Sequence, residues 1–255
     1  MCDTCGCGDP NRVSVELHDK ILATNDRTAA HNRSHFAEGG VFSVNLMGSP
    51  GAGKTAVLEA TARSLSGQGR VGVIAGDLET ERDADRLRAV GVPATAITTG
   101  SACHLDAEMV HKALHSFPWR ELDYLFVENV GNLVCPAVYD LGQSVNVVAL
   151  SVTEGEDKPL KYPVMFRKAD LVLLTKVDLL PHLDYRVDAV EEALARVAPL
   201  PRLLRISART GEGIDAWLAW LDERRRAASR AAAGPAHAHP HSHEPEPEPV
   251  HEPSR

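Results

Sequence analysis

The chain has 255 residues, 44% of them hydrophobic, enough for one large α/β domain with a well-buried core. Its formal net charge is −8, and no basic run is long enough to line a nucleic-acid groove. No apolar run approaches the ~18 residues of a membrane span and no signal-peptide core opens the chain, so neither nucleic acid nor membrane is expected as a partner and a cytoplasmic location is expected.

The five cysteines stand at positions 2, 5, 7, 103 and 135, none inside an apolar run where a structural thiol packs. In a reducing compartment this placement points to metal or redox chemistry before disulfides. Cys2, Cys5 and Cys7 fall within MCDTCGCGDP, among small and flexible neighbours that let thiolates converge, and soft sulfur donors suit Zn²⁺, Ni²⁺ or Cu⁺. If the initiator Met is removed, the α-amino group of Cys2 is a fourth donor that favours square-planar Ni²⁺. Val13 to Phe36 then follows helical spacing, with Leu17, Ile21 and Leu22 on one side. Its histidines, His18, His31 and His35, are expected at the surface rather than as ligands.

The apolar run Val41 to Met47 leads into GSPGAGKT, Gly48 to Thr55, and an alanine-rich helix from Ala56 to about Ser66. This is G-x-x-x-x-G-K-[ST] in its required strand-to-helix context. Backbone from Gly48 and Ser49 through Gly51, Ala52 and Gly53 to Ala56 forms a phosphate cradle, because glycine lets N–H groups approach an anion that the helix N-terminus also attracts. Lys54 is expected at the terminal phosphates and Thr55 on Mg²⁺. A second strand, Arg70 to Ala75, ends at Gly76-Asp77. A carboxylate there borders the phosphate crevice of an open α/β sheet, which makes Asp77 a Mg²⁺ or water-orienting candidate. Thr80 is the expected N-cap of the next helix, with Asp83 second.

A third strand, Ala94 to Thr98, precedes Cys103 and His104 and a helix over Leu105 to His115. A thiol at a helix start has its pKa lowered and is available to a metal. The pair by itself leaves two readings open, a metal site or a buried Cys beside a solvated His. Strand Tyr124 to Val127 ends at Glu128, the position of a Walker B carboxylate. Cys135 follows seven residues later on the same loop, so a loop that follows the γ-phosphate also moves that thiol. Val145 to Ser151 and Asp170 to Thr175 are further buried strands, and right-handed crossovers make the sheet mostly parallel with helices on both faces. The intervening TEGEDKPLKYP reads as a surface loop.

Two later loops, TKVD (Thr175 to Asp178) and SART (Ser207 to Thr210), favour guanine. Asp178 accepts the ring N–H and exocyclic amine, which adenine cannot supply in that arrangement. Lys176 lies along the base, and the Ser207-Ala208 loop meets the guanine carbonyl through the Ala208 N–H. A last helix from Gly213 to about Ala233 buries Ile214, Trp217, Leu218 and Leu221. From Gly234-Pro235 onward come five of the twelve histidines and six of the sixteen prolines, a composition that forms no packed core. There His237, His239, His241 and His243 are expected to hold Ni²⁺ or Zn²⁺ weakly. Three parts follow: a Cys-rich metal-binding motif (1–12), a GTPase domain with its N-terminal helix (13–233) and a disordered tail (234–255).

CDTCGCG, GSPGAGKT, GDLETERDADR, SACHLDA, ENVGNLVCP and EGEDKPLKYP occur in an order that resembles the HypB family of hydrogenase nickel-incorporation GTPases over residues 1 to 230. The resemblance implies a P-loop NTPase of the SIMIBI class, a G domain that dimerises when GTP-bound. With no glutamine clearly placed after Glu128 and no assignable arginine finger, GTP hydrolysis with Mg²⁺ is expected to be slow. The resemblance also implies an interface metal site from Cys103, His104 and Cys135, a tight nickel site from Cys2, Cys5 and Cys7, and Lys158 and Lys161 as contacts across the dimer. A companion nickel-insertion protein similar to HypA and the hydrogenase large subunit are the implied partners. Thr175 departs from that family's usual Asn, and the histidine-rich segment is C-terminal rather than N-terminal. Competing readings are a nickel or zinc storage protein with a regulatory nucleotide site, a small-molecule P-loop kinase and the related urease-maturation GTPase. The cysteine placement disfavours the last two.

Overall fold

The computed structural model describes residues 10–198 and 202–232, with side chains from Lys20 onward. Cys2, Cys5 and Cys7, the tail histidines 237, 239, 241 and 243, and the domain limit at 233/234 lie outside the described residues, while the limit at 12/13 falls inside the helix Pro10–Gly39. The continuous apolar runs form one sheet: β1 (Phe42–Gly48), β2 (Val71–Asp77), β3 (Ala94–Thr98), β4 (Tyr124–Glu128), β5 (Val145–Ser151), β6 (Leu171–Thr175) and β7 (Leu203–Arg205). Their order is β3-β2-β4-β1-β5-β6-β7, and every described pair is parallel. Runs this apolar form strands covered by helices, some from the crossovers between parallel strands, one before β1 and one after β7.

Those helices are α1 (Pro10–Gly39), α2 (Lys54–Ser64), α3 (Arg82–Ala89), α4 (Ala107–Leu114), the single turn α5 (Lys158–Lys161), α6 (Pro163–Lys168), α7 (Val187–Val197) and α8 (Ile214–Ala232). Alternate strand residues serve the two layers. Phe42, Val44, Leu46, Val147 and Leu173 pack with residues of α2, α3 and α8, while Met47, Val148, Leu150 and Val172 pack with residues of α6 and α7. A third apolar cluster joins α1 and α4 to Ile74, Leu125 and Val127. Trp217 is fully buried on α8 and donates its Nε1–H to Thr61 Oγ1 on α2 at 2.9 Å, so its one polar atom is satisfied inside the core. No helix among the described residues is long and apolar enough to cross a membrane.

Three local expectations change. The N-cap of α3 is Glu81, not Thr80, and it makes no side-chain cap; Thr80 instead donates its N–H to the turn closed by Asp77. Helix α4 begins at Ala107, capped by Asp106 Oδ1 from Met109 N at 2.7 Å. The helix terminus therefore acts on Asp106 and not on the Cys103 thiol. The segment TEGEDKPLKYP is not a plain surface loop, because it folds into α5 and the start of α6, with Pro159 buried.

Candidate functional site

The carboxyl ends of β2 and β4 present Asp77 and Glu128 to one crevice of about 480 Å³. The loop after β1 borders it through Pro50, Gly51 and Gly53, and Lys54, Thr55, Asp83, Arg86, Asn129 and Lys176 also line it. Gly48 has φ 145° and sits so close to the Ala149 carbonyl that a Cβ would collide with it, so only glycine leads β1 into the turn. Lys54 is buried and its Nζ donates to the carbonyl oxygens of Gly48 and Ser49, both at 3.2 Å. Burial lowers its pKa, against the carboxylates led by Glu128. Its ammonium is thus poorly solvated, and a terminal phosphate is a stronger acceptor than two carbonyls.

The Thr55 hydroxyl lies 2.8 Å from Glu128 Oε1 and 2.9 Å from Asp83 Oδ1. One hydroxyl proton cannot serve two carboxylates. Burial pushes the Glu128 carboxyl up to about 7, and its Oε2 is buried without a partner. A buried carboxylate oxygen, a threonine hydroxyl and a second carboxylate form a donor set for a hard cation. Asp77 Oδ1 accepts from the backbone N–H groups of Glu79 and Thr80, each at 2.9 Å. Those bonds outweigh the upward pull of burial and hold its pKa below the usual carboxylate value. Asp83 at Thr55 is a contact that sequence pattern did not show, because α3 brings it there from 28 residues away. Arg86 also borders the crevice, paired with Glu59 at 3.1 Å and Asp83 at 3.5 Å.

The loop after β6 meets the loop of residues 48–55 directly. Thr175 Oγ1 donates to the Ala52 carbonyl at 2.6 Å, so the threonine braces the phosphate loop. Lys176 has φ 60°, the only positive value at a described non-glycine residue, and its Nζ reaches Gly51 O at 2.7 Å. Asp178 Oδ1 accepts from Ser207 Oγ at 2.6 Å, which brings Asp178 to the loop that carries Ala208. Sequence reasoning missed Glu154: its Oε2 accepts from Ser49 Oγ at 2.6 Å and lies 3.6 Å from Lys158 Nζ. Lys158 is therefore tied to its own phosphate loop through Glu154. Lys161 is more exposed and pairs with Asp157 at 2.6 Å.

Cys103, His104 and Cys135 come together, with one ligand atom of each within 4.8 Å of the others. The two sulfurs are 2.8 Å apart and free of any disulfide, and Cys103 Sγ is 3.8 Å from His104 Nδ1. His104 stacks on Tyr139 with centroids 3.8 Å apart. Burial lowers the His104 pKa, while the hydrogen bond from Cys103 raises that of the Cys135 thiol. Both shifts disfavour charge in the metal-free cluster, and a bound cation favours neutral imidazole and thiolate.

The loop from Glu128 to Cys135 runs between these two places. Gly131 packs on Pro50, and Gly48 bridges Asn132. Buried Asn129 accepts from Leu105 N at 3.2 Å and donates to Asn45 Oδ1 at 3.1 Å. Leu105 is the residue after His104, so Asn129 links the loop beside the phosphate site to the loop beside the metal cluster. Its side-chain role had no sequence signal, since an asparagine after a strand is ordinarily a turn residue.

The family model described as "CobW/HypB/UreG, nucleotide-binding domain" matches residues 42–204. The chain is similar to the hydrogenase maturation factor HypB of Azotobacter chroococcum, 52% identical over 217 residues that cover 85% of this chain and 71% of that one. Among solved structures it is similar to HypB from Helicobacter pylori in complex with nickel, with TM-score 0.77 and 41% identity over 80% of this chain and 96% of that one. It is also similar to the hydrogenase maturation factor HypB from Archaeoglobus fulgidus, with TM-score 0.74 and 37% identity over 80% of this chain and all of that one.

Proposed function

The chain belongs to the HypB family of P-loop hydrogenase maturation factors, and from that premise we propose that it is a GTP-hydrolysing nickel chaperone whose nucleotide state sets its hold on the metal. The observation that carries this reading is the Glu128–Cys135 loop, which touches Thr55 at one end and Cys103 at the other. Nickel is the cargo, held by Cys103, His104 and Cys135, and delivered to the hydrogenase large subunit with a HypA-like companion. Cys2, Cys5 and Cys7 are proposed as a tighter nickel site, and the tail histidines as weak ligands for Ni²⁺ or Zn²⁺.

The donors around Thr55 fit Mg²⁺ because Glu128 Oε2 is otherwise a buried acceptor without a partner. Thr55 and Glu128 would hold it, with Asp77 and Asp83 bordering, and bound Mg²⁺ neutralises charge on the terminal phosphates. The protein's own part is to bind and orient. Lys54 exchanges its two carbonyl acceptors for phosphate oxygens, the glycine-rich backbone fixes the nucleotide, and Asp178 with Lys176 and Ala208 selects guanine. Water attacks the γ-phosphorus, the bond to the β–γ bridging oxygen breaks, and GDP and phosphate leave. Arg86 is held by two carboxylates in its own chain, so intrinsic turnover is slow and rises with dimerisation or a partner. Lys158 and Lys161 are proposed to act across the dimer.

The test is nickel affinity and oligomeric state measured together with GDP and with a non-hydrolysable GTP analogue. The analogue is expected to shift the chain to dimer and to change nickel affinity by about 5- to 150-fold, the usual span of coupling between sites. Equal affinity and equal mass in both nucleotides would falsify the coupling.

A further inference from the structure

Helix α1 carries His31 and His35, and α4 carries His111 with His115 as its C-cap. Each pair has i,i+4 spacing, which sets two imidazoles on one helix face, the spacing with which H-E-x-x-H helices hold zinc. The helices pack so that the pairs converge. Ring centroids are 4.1 Å apart for His31 and His35, 5.1 Å for His31 and His111, and 4.9 Å for His111 and His115. One ring nitrogen each of His31, His35 and His111 lies within 4.8 Å of the other two. The Nε2 atoms of His111 and His115 are 3.3 Å apart, close to the ~3.3 Å edge of a tetrahedron with metal–nitrogen bonds of about 2.05 Å.

The surroundings fix which nitrogen of His111 is free. Asn32 is fully buried, and its Nδ2 donates to the carbonyls of Ala107 at 2.9 Å and Leu141 at 3.1 Å. With both amide protons used, its Oδ1 is the atom that meets His111 Nδ1 at 3.0 Å. A carbonyl oxygen needs a donor there, so Nδ1 carries the hydrogen and Nε2 of the neutral ring carries the lone pair. Metal-ligating histidines are oriented by such a partner on the other nitrogen. His35 stacks on Trp119 with planes 14° apart, and Arg120, whose charge opposes a cation here, lies over the same indole. Exposed His31 leaves the group open to solvent.

We propose that His31, His35 and His111 bind a borderline divalent transition ion such as Zn²⁺ or Ni²⁺. Three neutral imidazoles without thiolate suit such ions. This group shares no residue with Cys103, His104 and Cys135, so it is a different site from the cysteine cluster. The proposal does not rest on the nucleotide-coupled reading.

Long-range ¹H–¹⁵N correlation of the full chain during Zn²⁺ titration reads each imidazole separately. His31, His35 and His111 are expected to shift together with one equivalent of metal, apart from His104 and the tail histidines. H31A removes an exposed ligand without disturbing the packing around Asn32, and should weaken the shift of His35 and His111 by about tenfold or more. H35A should do the same, and its amide spectrum reports whether it folds. The proposal fails if His31, His35 and His111 stay unmoved once His104 and the tail histidines are saturated, or if H31A leaves their response unchanged. Either failure leaves the nucleotide dependence of the cysteine cluster intact.

Discussion

Two clusters of candidate metal ligands, one just before α4 and one on its face, have opposite mechanical settings. Cys103, His104 and Cys135 sit on loops, one of which returns to Gly48, Pro50 and Thr55. His31, His35 and His111 sit on helix faces whose register is set by the buried Asn25 and Asn32. Asn25 donates to Asp140 O at 2.8 Å and accepts from Ala107 N at 2.9 Å. Loops joined to a ligand site have arrangements to change between, and helices locked by buried amides do not. A site on the loops is therefore expected to respond to the nucleotide, and one on the helix faces to stay constant.

The largest expected effect tests where the response begins. K54A removes the cation at the terminal phosphates and is expected to cut GTP turnover by about 10²- to 10³-fold, the usual loss for one preorganised electrostatic donor. Nickel binding at the cysteine cluster should then stop following the nucleotide, while the histidine cluster is unchanged. Phosphate release and nickel titration on one preparation check both. A K54A chain whose cysteine cluster still follows the analogue would place the origin of the response outside the phosphate loop.

A smaller effect tests the connection itself. N129A leaves Leu105 N and Asn45 Oδ1 without their partner inside the protein, at a cost of about 1–3 kcal/mol in urea unfolding. The nickel-affinity ratio between GDP and GTP analogue should shrink toward unity, with metal binding at His31, His35 and His111 unaltered. A destabilised N129A that keeps the full ratio would assign the link to Gly131 and Asn132 instead.

How much of this was legible in the sequence follows the range of the interactions. β5 has the limits read from its apolar run, since burial on both faces leaves an unbroken local pattern, and the half-buried edge strand β3 matches its expected limits as well. Cys103, His104 and Cys135 were legible as residue types too reactive for their places, though their meeting depends on a contact spanning 32 residues. The contacts of Glu154, Asp83 and Asn129 were not legible, because Glu and Asp are ordinary surface residues and Asn an ordinary turn residue until tertiary packing brings them to Ser49, Thr55 and Leu105. The His31 and His35 spacing was visible, but the pair reads as solvated surface until α4 brings His111 across 79 residues of chain to Asn32.

The smallest expected effect concerns the scaffold that both clusters share. Asp123 precedes β4 at the opposite end of that strand from Glu128, and its Oδ2 accepts from Arg70 N at 2.8 Å while its Oδ1 accepts from Arg225 at 2.7 Å. Burial would raise its carboxyl, but the Arg70 hydrogen bonds and the Arg225 charge together hold it below the ordinary 3.8. A folded value below the unfolded one stabilises the fold above that pH range and loses the contribution as acid protonates the native carboxylate. D123N should therefore cost about 1 kcal/mol at neutral pH, and the gap to the parent chain should close as pH falls through the lowered folded value. Neither metal cluster should change its affinity, because β4 separates Asp123 from both and transmits no alternative arrangement. A change in nickel affinity at the cysteine cluster in D123N would mean that the cluster reads the stability of the whole sheet, and the contrast between loop and helix settings would lose its basis.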